Sequence, residues 1–267
     1  MKLYQVDAFT NEVFKGNPAG VCILPPDKTY DDSFFHDVAM EMNLSETAFL
    51  AKQGESEYHL RWFTPETEVR LCGHATLSSA HILYETGAEK ASAVITFNTL
   101  SGKLKARRVR GKIELDFPAH KITKKADNED ADKALGITPV FTGTNERGSY
   151  LIEIADASVL KGLKPDFTKL KTIGRGTFIV TCRSDDPKFD FFSRFFAPGV
   201  GINEDPVTGS SHSSLIPYWS QKLGKTKLMS YQASKRSGIL ECEMAPNDRV
   251  FIRGNAVTVF EINAKDF

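Results

Sequence analysis

The chain contains few cysteines, and their spacing excludes two common uses of this residue. Four occur in 267 residues, at least 50 positions apart and without a C-x-x-C pair: Cys22, Cys72, Cys182 and Cys242. Neither a zinc knuckle nor a disulfide framework fits this spacing. We therefore expect four reduced thiols.

Excess charge and long apolar runs are also missing. Acidic and basic side chains balance at 34 each, so the sequence offers no long-range positive field for nucleic acid or an anionic membrane. No apolar run approaches the ~18 residues of a membrane helix, and the first residues lack the apolar core of a secretion signal. We expect a cytoplasmic protein that binds neither nucleic acid nor membrane.

Signatures of cofactor chemistry are absent as well. The sequence has no Walker A loop, no G-x-G-x-x-G after a strand, no G-x-S-x-G elbow and no H-E-x-x-H pair. Its histidines show no metal-ligand spacing. We expect no metal and no cofactor, so the chemistry has to come from the chain itself.

The composition is that of a globular protein, with 41% hydrophobic residues and 19 phenylalanines. Period-two alternation dominates and predicts many short strands. They are Lys2–Ala8, Gly20–Leu24, Thr47–Ala51, Tyr58–Phe63, Ala93–Phe97, Lys103–Val109, Lys112–Phe117, Tyr150–Ala155, Thr177–Cys182, Ile239–Glu243, Val250–Arg253 and Ala256–Ile262. Three longer segments predict helices: Asp32–Met42, Ala75–Tyr84 and Ser210–Leu223.

The length suggests two domains, since about 150 residues per domain is usual. The most polar window, Lys121–Asp132, is the expected linker; it gives domains of residues 1–120 and 121–267, and the last strand can pack back on the first domain. An internal repeat supports two domains. At an offset of 133, Arg61–Pro65 (RWFTP) aligns with Arg194–Pro198 (RFFAP), and Cys72 aligns with Asp205. We interpret the chain as a duplication whose halves enclose a ligand cleft.

Two glycine-containing segments, Leu71–Thr76 and Asn203–Ser211, lead into the second and third predicted helices. A helix N-terminus has unpaired N–H groups and a partial positive charge, so the two starts could bind a small carboxylate. For each segment alone the alternative is ordinary capping, with Asp205 as N-cap and Pro206 as the first helical residue.

Three side chains near these segments could take part in chemistry. Cys72 could be a thiolate base, but the repeat has Asp205 at the equivalent position, so a two-cysteine racemase mechanism is missing and a packed residue is the better interpretation. His74 could hydrogen-bond a substrate, although a lone histidine is usually structural. Glu46 could be a proton shuttle, yet the residues alone favour a solvated loop glutamate.

Five sequence blocks form a specific combination along the whole chain. They are DAFT with GNPA from Asp7, NLSET from Asn43, RWFTP from Arg61, CGHAT from Cys72 and EDPVTGS from Glu204. In order and spacing this combination resembles the phenazine-biosynthesis (PhzF-like) isomerase family. The resemblance implies the diaminopimelate-epimerase-like fold, which is α+β, with two pseudo-symmetric domains, each a curled antiparallel sheet wrapped around a central helix. It also implies a homodimer.

The resemblance implies roles for individual residues. The general acid/base carboxylate falls on Glu46, the histidine of the G-H motif on His74 and the acid of the E-D-P motif on Asp205. Near position 236 the family often has Q-x-S-x-R-G-G, whereas this chain has Ser237 in place of the first glycine. The implied substrate-binding residues are Ser45, Gly73, Gly209, Ser210 and Arg236.

These features predict a cofactor-independent isomerase or epimerase that moves a proton on a small carboxylate-bearing, amino-substituted substrate between the two domains, with Glu46 as the acid/base. In the family's phenazine-pathway enzyme the substrate is a cyclic dihydro-hydroxyanthranilate. The alternative is a family member without turnover that acts as an interaction or regulatory protein. A one-base thiol enzyme using Cys72 is a third hypothesis. The set Glu46, His74 and Asp205 favours the isomerase.

Overall fold

The computed structural model describes residues 1–264, and the chain divides into two compact units. Unit 1 comprises residues 1–116 together with the C-terminal segment from Arg253, and unit 2 comprises Phe117–Ile252. The polar stretch Lys121–Asp132, expected to be a linker, lies in unit 2 and contains a strand and the first turn of a helix. None of the helices in the described part of the chain has the length and apolar character of a membrane span.

The first eight strands and two helices build unit 1, except that the last two residues of β8 lie in unit 2. In chain order they are β1 (Lys2–Ala8), β2 (Asn17–Ile23), α1 (Asp32–Met42), β3 (Thr47–Gly54), β4 (Glu57–Phe63), β5 (Glu68–Val69), α2 (Gly73–Glu85), β6 (Ile95–Thr99), β7 (Gly102–Val109) and β8 (Lys112–Pro118). β2 pairs in parallel with β3, and β4 pairs in parallel with β6. The pairs β1–β2, β3–β4, β6–β7 and β7–β8 are antiparallel.

The remaining elements build unit 2, apart from the last strand. They are β9 (Ile122–Lys125), α3 (Glu129–Leu135), β10 (Phe141–Asn145), β11 (Tyr150–Glu153), α4 (Ala157–Gly162), α5 (Phe167–Leu170), β12 (Phe178–Arg183), β13 (Phe191–Ala197), a 3-10 turn (Pro198–Val200), β14 (Ile202–Asp205), α6 (Gly209–Leu223), β15 (Lys227–Gln232), β16 (Gly238–Ala245), β17 (Arg249–Gly254) and β18 (Ala256–Asn263). β18 pairs antiparallel with β1, so it belongs to unit 1.

The two units repeat one pattern of strand pairing. The parallel pair β2 and β3 corresponds to the parallel pair β11 and β12, and β4 with β6 corresponds to β13 with β15. Even the register agrees, because the pair Tyr58 and Phe97 becomes Phe191 and Ser230 at the offset of 133. The pairing confirms the two pseudo-symmetric halves.

Each unit has a central helix with many buried residues. In α2 every residue except His81 and Glu85 is buried, and the helix contacts β1, β2, β3, β7 and β18. A helix that is buried on all sides needs small or apolar residues around its whole circumference, which explains its alanines and serines. In unit 2, α6 contacts β15 and β16, and the Trp219 indole N–H donates to Thr181 Oγ1 on β12 (3.0 Å). This is the curled α+β architecture that the resemblance implies.

Shorter helices cover the sheets from outside. Leu3, Cys22 and Phe49 lie opposite one another in register and pack with Phe35 and Val38 of α1. Burying one such large side chain contributes about 1.5–3 kcal/mol, so this cluster anchors α1 and the chain that follows it. In unit 2, apolar residues of α3, α4 and α5 form a core with β11, β12 and β13.

Candidate active site

Glu46 lies between α1 and β3 in unit 1. α1 ends at Asn43, which has the left-handed backbone (φ 48°) that asparagine tolerates, and the chain turns directly toward β3. The Glu46 carbonyl accepts a hydrogen bond from the Gly20 N–H on β2 (3.1 Å), which fixes the backbone here. The Glu46 side chain is only 13% exposed. The interpretation of Glu46 as a solvated loop residue, which the residues alone favoured, is therefore wrong.

The Glu46 carboxylate has an unusual environment. Its Oε2 atom lies 3.3 Å from His74 Nε2, and among residues 1–264 it has no aligned hydrogen-bond partner. Burial raises the pKa of the Glu46 carboxyl above its ordinary range, while the nearby polar side chains of Ser45 and Cys72 act in the opposite direction. A buried carboxyl with a raised pKa binds a proton more tightly than a surface glutamate does.

The start of α2 surrounds this carboxylate with polar atoms. Cys72 is the N-cap, Gly73 is the first helical residue and His74 the second. Ser45 Oγ lies 3.4 Å from His74 Nε2, and Cys72 Sγ lies 3.4 Å from His74 Nδ1. Ser45, Glu46, Gly73 and His74 therefore lie close together in unit 1.

The same cluster contains a set of potential metal ligands. One carboxylate oxygen of Glu46, Cys72 Sγ and a ring nitrogen of His74 all lie within 4.8 Å of one another. Carboxylate, thiolate and imidazole are ligands that Zn²⁺ accepts. The expectation of a metal-free protein therefore needs a direct test, which is given below.

Asp205 does not occupy the position expected for it in unit 2. It is the last residue of β14, whereas Thr208 is the N-cap of α6 and Gly209 its first residue. The alternative of ordinary capping, with Asp205 as N-cap and Pro206 as the first helical residue, is therefore wrong. Pro206 lies before the helix.

The reason is that the offset between the two repeated halves changes along the chain. Trp62 pairs with Val69, and Phe195 pairs with Asp205, so the offset of 133 on the first strand becomes 136 on the second. Three extra residues therefore lie in the turn that contains Pro198–Val200. As a result Cys72 corresponds to Thr208 and not to Asp205.

A network of hydrogen bonds holds Asp205. Thr208 Oγ1 donates to Asp205 Oδ2, and the buried Gln232 side chain donates to the Asp205 carbonyl (2.8 Å) and accepts from the Thr208 N–H (2.9 Å). Polar networks with every member satisfied are rigid. The sequence analysis did not identify Thr208 and Gln232 as partners of Asp205, although Gln232 opens the Q-x-S-x-R block.

His212 is a structural histidine. It is fully buried on α6; its Nδ1 donates to the Thr208 carbonyl (2.8 Å) and its Nε2 accepts from Ser230 Oγ (2.8 Å). Burial lowers the pKa of His212 to about 4, so the ring is neutral at pH 7. The neutral ring therefore holds the carbonyl group of Thr208, the N-cap residue of α6.

The other two substrate-binding candidates of unit 2 lie at the ends of its elements. Ser210 is the second residue of α6 and is partly exposed. Arg236 is partly buried in the turn between β15 and β16. The next residue, Ser237, has φ 57°, the left-handed conformation that glycine adopts freely. Ser237 is therefore strained in a conformation that glycine adopts without cost.

Substituting Ser237→Gly should stabilise the protein by about 0.5 kcal/mol, because relief of about 1–2 kcal/mol of left-handed strain exceeds the entropy cost of glycine in the unfolded chain. Urea unfolding at pH 7 measures the difference. Lys235→Gly is the control, because Lys235 lacks a positive φ and should lose stability. Equal losses of stability in both variants would show that Ser237 is not strained.

Comparisons with known proteins show the family of the chain. The chain matches the family described as phenazine biosynthesis-like protein (PhzC-PhzF) over residues 6–262. It is 52% identical over 259 residues to an uncharacterized isomerase of Halalkalibacterium halodurans, covering 96% of each chain. It is 45% identical over 256 residues to an uncharacterized isomerase of Pseudomonas aeruginosa, covering 96% of this chain and 95% of the relative.

The chain is also similar to solved structures. A phenazine biosynthesis protein of the PhzF family from Enterococcus faecalis has a TM-score of 0.92 at 39% identity, covering 99% of this chain and 98% of that one. A probable proline racemase from Agrobacterium radiobacter has a TM-score of 0.63 at 13% identity, covering 99% and 92%. At that identity the racemase shares the fold alone.

Proposed function

Because the chain belongs to the phenazine biosynthesis-like (PhzC-PhzF) family, whose relatives are named isomerases, we propose that it is a cofactor-independent isomerase or epimerase with Glu46 as general acid/base. The substrate is a small carboxylate-bearing, amino-substituted compound. The reaction removes a proton from carbon and returns one, either to another carbon or to the other face of the same carbon.

One observation carries this proposal: Glu46 is a buried carboxylate with an oxygen that lacks an aligned hydrogen bond among residues 1–264 and lies 3.3 Å from His74 Nε2. A base that removes a proton from carbon is more effective when its pKa is raised, and burial raises the pKa of Glu46. The proton moves from carbon to the carboxylate, and the electron pair left on carbon delocalises into the conjugated carboxylate of the substrate.

The helix starts supply the binding groups. At the start of α2, the Gly73 and His74 amides and the partial positive charge of the helix stabilise the substrate carboxylate and its developing charge, and Ser45 adds a hydroxyl. In unit 2, the Asp205 carboxylate is an acceptor for a substrate amine. Gly209, Ser210 and Arg236 complete the set of binding residues that we propose.

The proposal is tested by proton exchange. After dialysis against EDTA, the wild-type protein is incubated in deuterated water with a panel of cyclic and amino-substituted carboxylic acids, and mass spectrometry detects deuterium on carbon. We expect a substrate in the panel to be labelled at the same rate with and without EDTA treatment, because no step of the mechanism needs a metal. Labelling that disappears with EDTA and returns with Zn²⁺ would contradict it and would point to metal bound by Glu46, Cys72 and His74.

A further inference from the structure

A cavity of about 260 Å³ lies in unit 1 on a face of β3 and β4, strands that α1 also contacts. Two cross-strand pairs form its floor, because Phe49 lies opposite Arg61 and Ala51 lies opposite His59 in the antiparallel register. Ala51 follows Glu46 by five residues, which is about 16 Å along an extended strand. The cavity and the candidate active site are therefore separate places in unit 1.

The chain between β2 and α1 forms a wall of this cavity. It contains Pro25–Pro26, and the fixed φ of proline leaves this part of the wall little conformational freedom. At its beginning the Leu24 N–H donates to the Leu50 carbonyl on β3 (2.9 Å). At its end Asp31 caps α1 and accepts from the Phe34 N–H (3.0 Å). The cavity is therefore formed before a ligand arrives, which lowers the entropy cost of binding.

Aromatic rings make the interior of the cavity apolar. Tyr30, Phe35 and Phe49 contribute to its lining. Phe35 of α1 packs on Phe49 with ring centroids 4.8 Å apart, and Tyr30 stacks on Phe34 at 4.2 Å. Aromatic rings attract one another in offset-stacked and edge-to-face arrangements. The interior therefore suits a ligand that carries a ring.

The charged side chains that line the cavity are basic. They are Lys28, Lys52 and Arg61, and none of the lining residues within 1–264 is acidic. Carboxylates outside the lining hold two of them, since Arg61 pairs with Glu68 (2.8 Å) and Lys52 with Glu89 (3.5 Å). The side chain of Lys28 makes no ion pair or hydrogen bond in the described part of the chain. Its charge is therefore available to an anion in the cavity.

His59 on the floor of the cavity is partly buried and lacks a structural partner. Its ring nitrogens make no hydrogen bond or ion pair with residues 1–264, whereas His74 and His81 of the same unit both have polar partners. A neutral imidazole carries one N–H donor and a protonated imidazole carries two, so His59 can donate to a carboxylate in either state. A few polar groups in an apolar cavity fix the orientation of a ligand.

We propose that this cavity binds a small aromatic carboxylate. The ring of the ligand lies between Tyr30 and the floor at Ala51. Its carboxylate accepts a hydrogen bond from His59 and pairs with Lys28. Ligand pockets begin at about 300 Å³, so a cavity of about 260 Å³ suits a compound of one or two rings. The site is independent of the isomerase function proposed above.

Isothermal titration calorimetry at low salt tests the two parts of the ligand. The probes are phenylacetate, phenylacetamide, which keeps the ring without the charge, and acetate, which keeps the charge without the ring. We expect phenylacetate to bind about 10-fold or more tightly than either of the other two. His59→Leu should weaken phenylacetate binding about 10-fold and leave phenylacetamide binding unchanged, because only the carboxylate uses this residue.

Two further variants locate the site, and circular dichroism verifies that each variant is folded. Ala51→Leu fills the cavity beside His59 and should remove the binding of phenylacetate and phenylacetamide. Lys90→Met removes an exposed charge of unit 1 outside the cavity and should change neither affinity. Wild-type affinity for phenylacetate in Ala51→Leu or in His59→Leu, or no binding of phenylacetate up to about 10 mM, would overturn the proposal.

Discussion

Replacing Glu46 with glutamine is expected to slow proton transfer to substrate carbon about 100-fold or more. Glutamine has nearly the same shape, so it fits the same buried site, but its amide cannot accept the proton. The measurement is the rate of deuterium incorporation into a substrate identified with the wild-type protein. Glu41→Gln, an exposed substitution on α1, is the matched control and should retain the wild-type rate.

The pH dependence of stability provides an independent check on the same variant. The native pKa of Glu46 is raised above the unfolded value of about 4.3, so its contribution to stability is complete below that pH and is lost as pH rises through the native pKa. Glutamine does not titrate. The stability of Glu46→Gln relative to wild type should therefore increase from pH 4 to pH 8 in urea unfolding.

Two results would contradict the role of Glu46. A variant that labels the substrate as fast as the wild type would show that another group is the base. A stability difference that does not change with pH would show that burial does not shift the Glu46 carboxyl. The geometry predicts a folded Glu46→Gln protein that is slower in proton transfer and whose stability relative to wild type increases with pH.

Replacing Arg194 with methionine is expected to lower the free energy of unfolding by about 3–5 kcal/mol. The buried Arg194 guanidinium makes two parallel hydrogen bonds with Glu204 (2.7 and 2.8 Å) and donates to the carbonyls of Leu160 (3.2 Å) and Leu163 (3.0 Å). Methionine matches much of its volume but leaves these acceptors unpaired, including a carboxylate that is only 20% exposed. Urea unfolding at pH 7 measures the loss.

The internal repeat provides the control. Arg61 holds Glu68 in the same way, with two hydrogen bonds of 2.8 Å, but it makes no bond to a backbone carbonyl among residues 1–264, and its further partner Asp32 is 72% exposed. Arg61→Met should therefore cost only about 1–2 kcal/mol, because water can replace more of its contacts. Equal losses in both variants would contradict the importance of the buried carbonyl contacts of Arg194.

The sequence alone determined the elements with clear local signals. The helix predicted at Asp32–Met42 is α1 with the same bounds, because its apolar residues follow the helical period. The strand predicted at Lys2–Ala8 is β1 with the same bounds. Phe191–Ala197 was not predicted as a strand because both of its faces are buried, so it lacks the period-two alternation that a half-exposed strand shows.

The residues of the candidate site were also only partly predictable from the sequence. The motif resemblance identified Glu46, Gly73 and His74, and these residues lie close together in the structure. Glu46 lies in the short segment after α1, and Gly73 and His74 are the first two residues of the buried helix α2. The alignment of Cys72 with Asp205 was wrong, because the three residues inserted before β14 can be recognised only from the pairing of the strands.

Only the tertiary structure decided what surrounds the motif residues. Burial of Glu46 depends on the packing of α1, β3 and α2, which no local pattern records. The hydrogen bond from the Arg175 guanidinium to the Arg147 carbonyl (2.7 Å) joins two loops that are 28 residues apart in the sequence, and no local pattern predicts it. Residue type and spacing determine which groups are available for chemistry, whereas pKa shifts and cavities arise from desolvation and from contacts between distant segments.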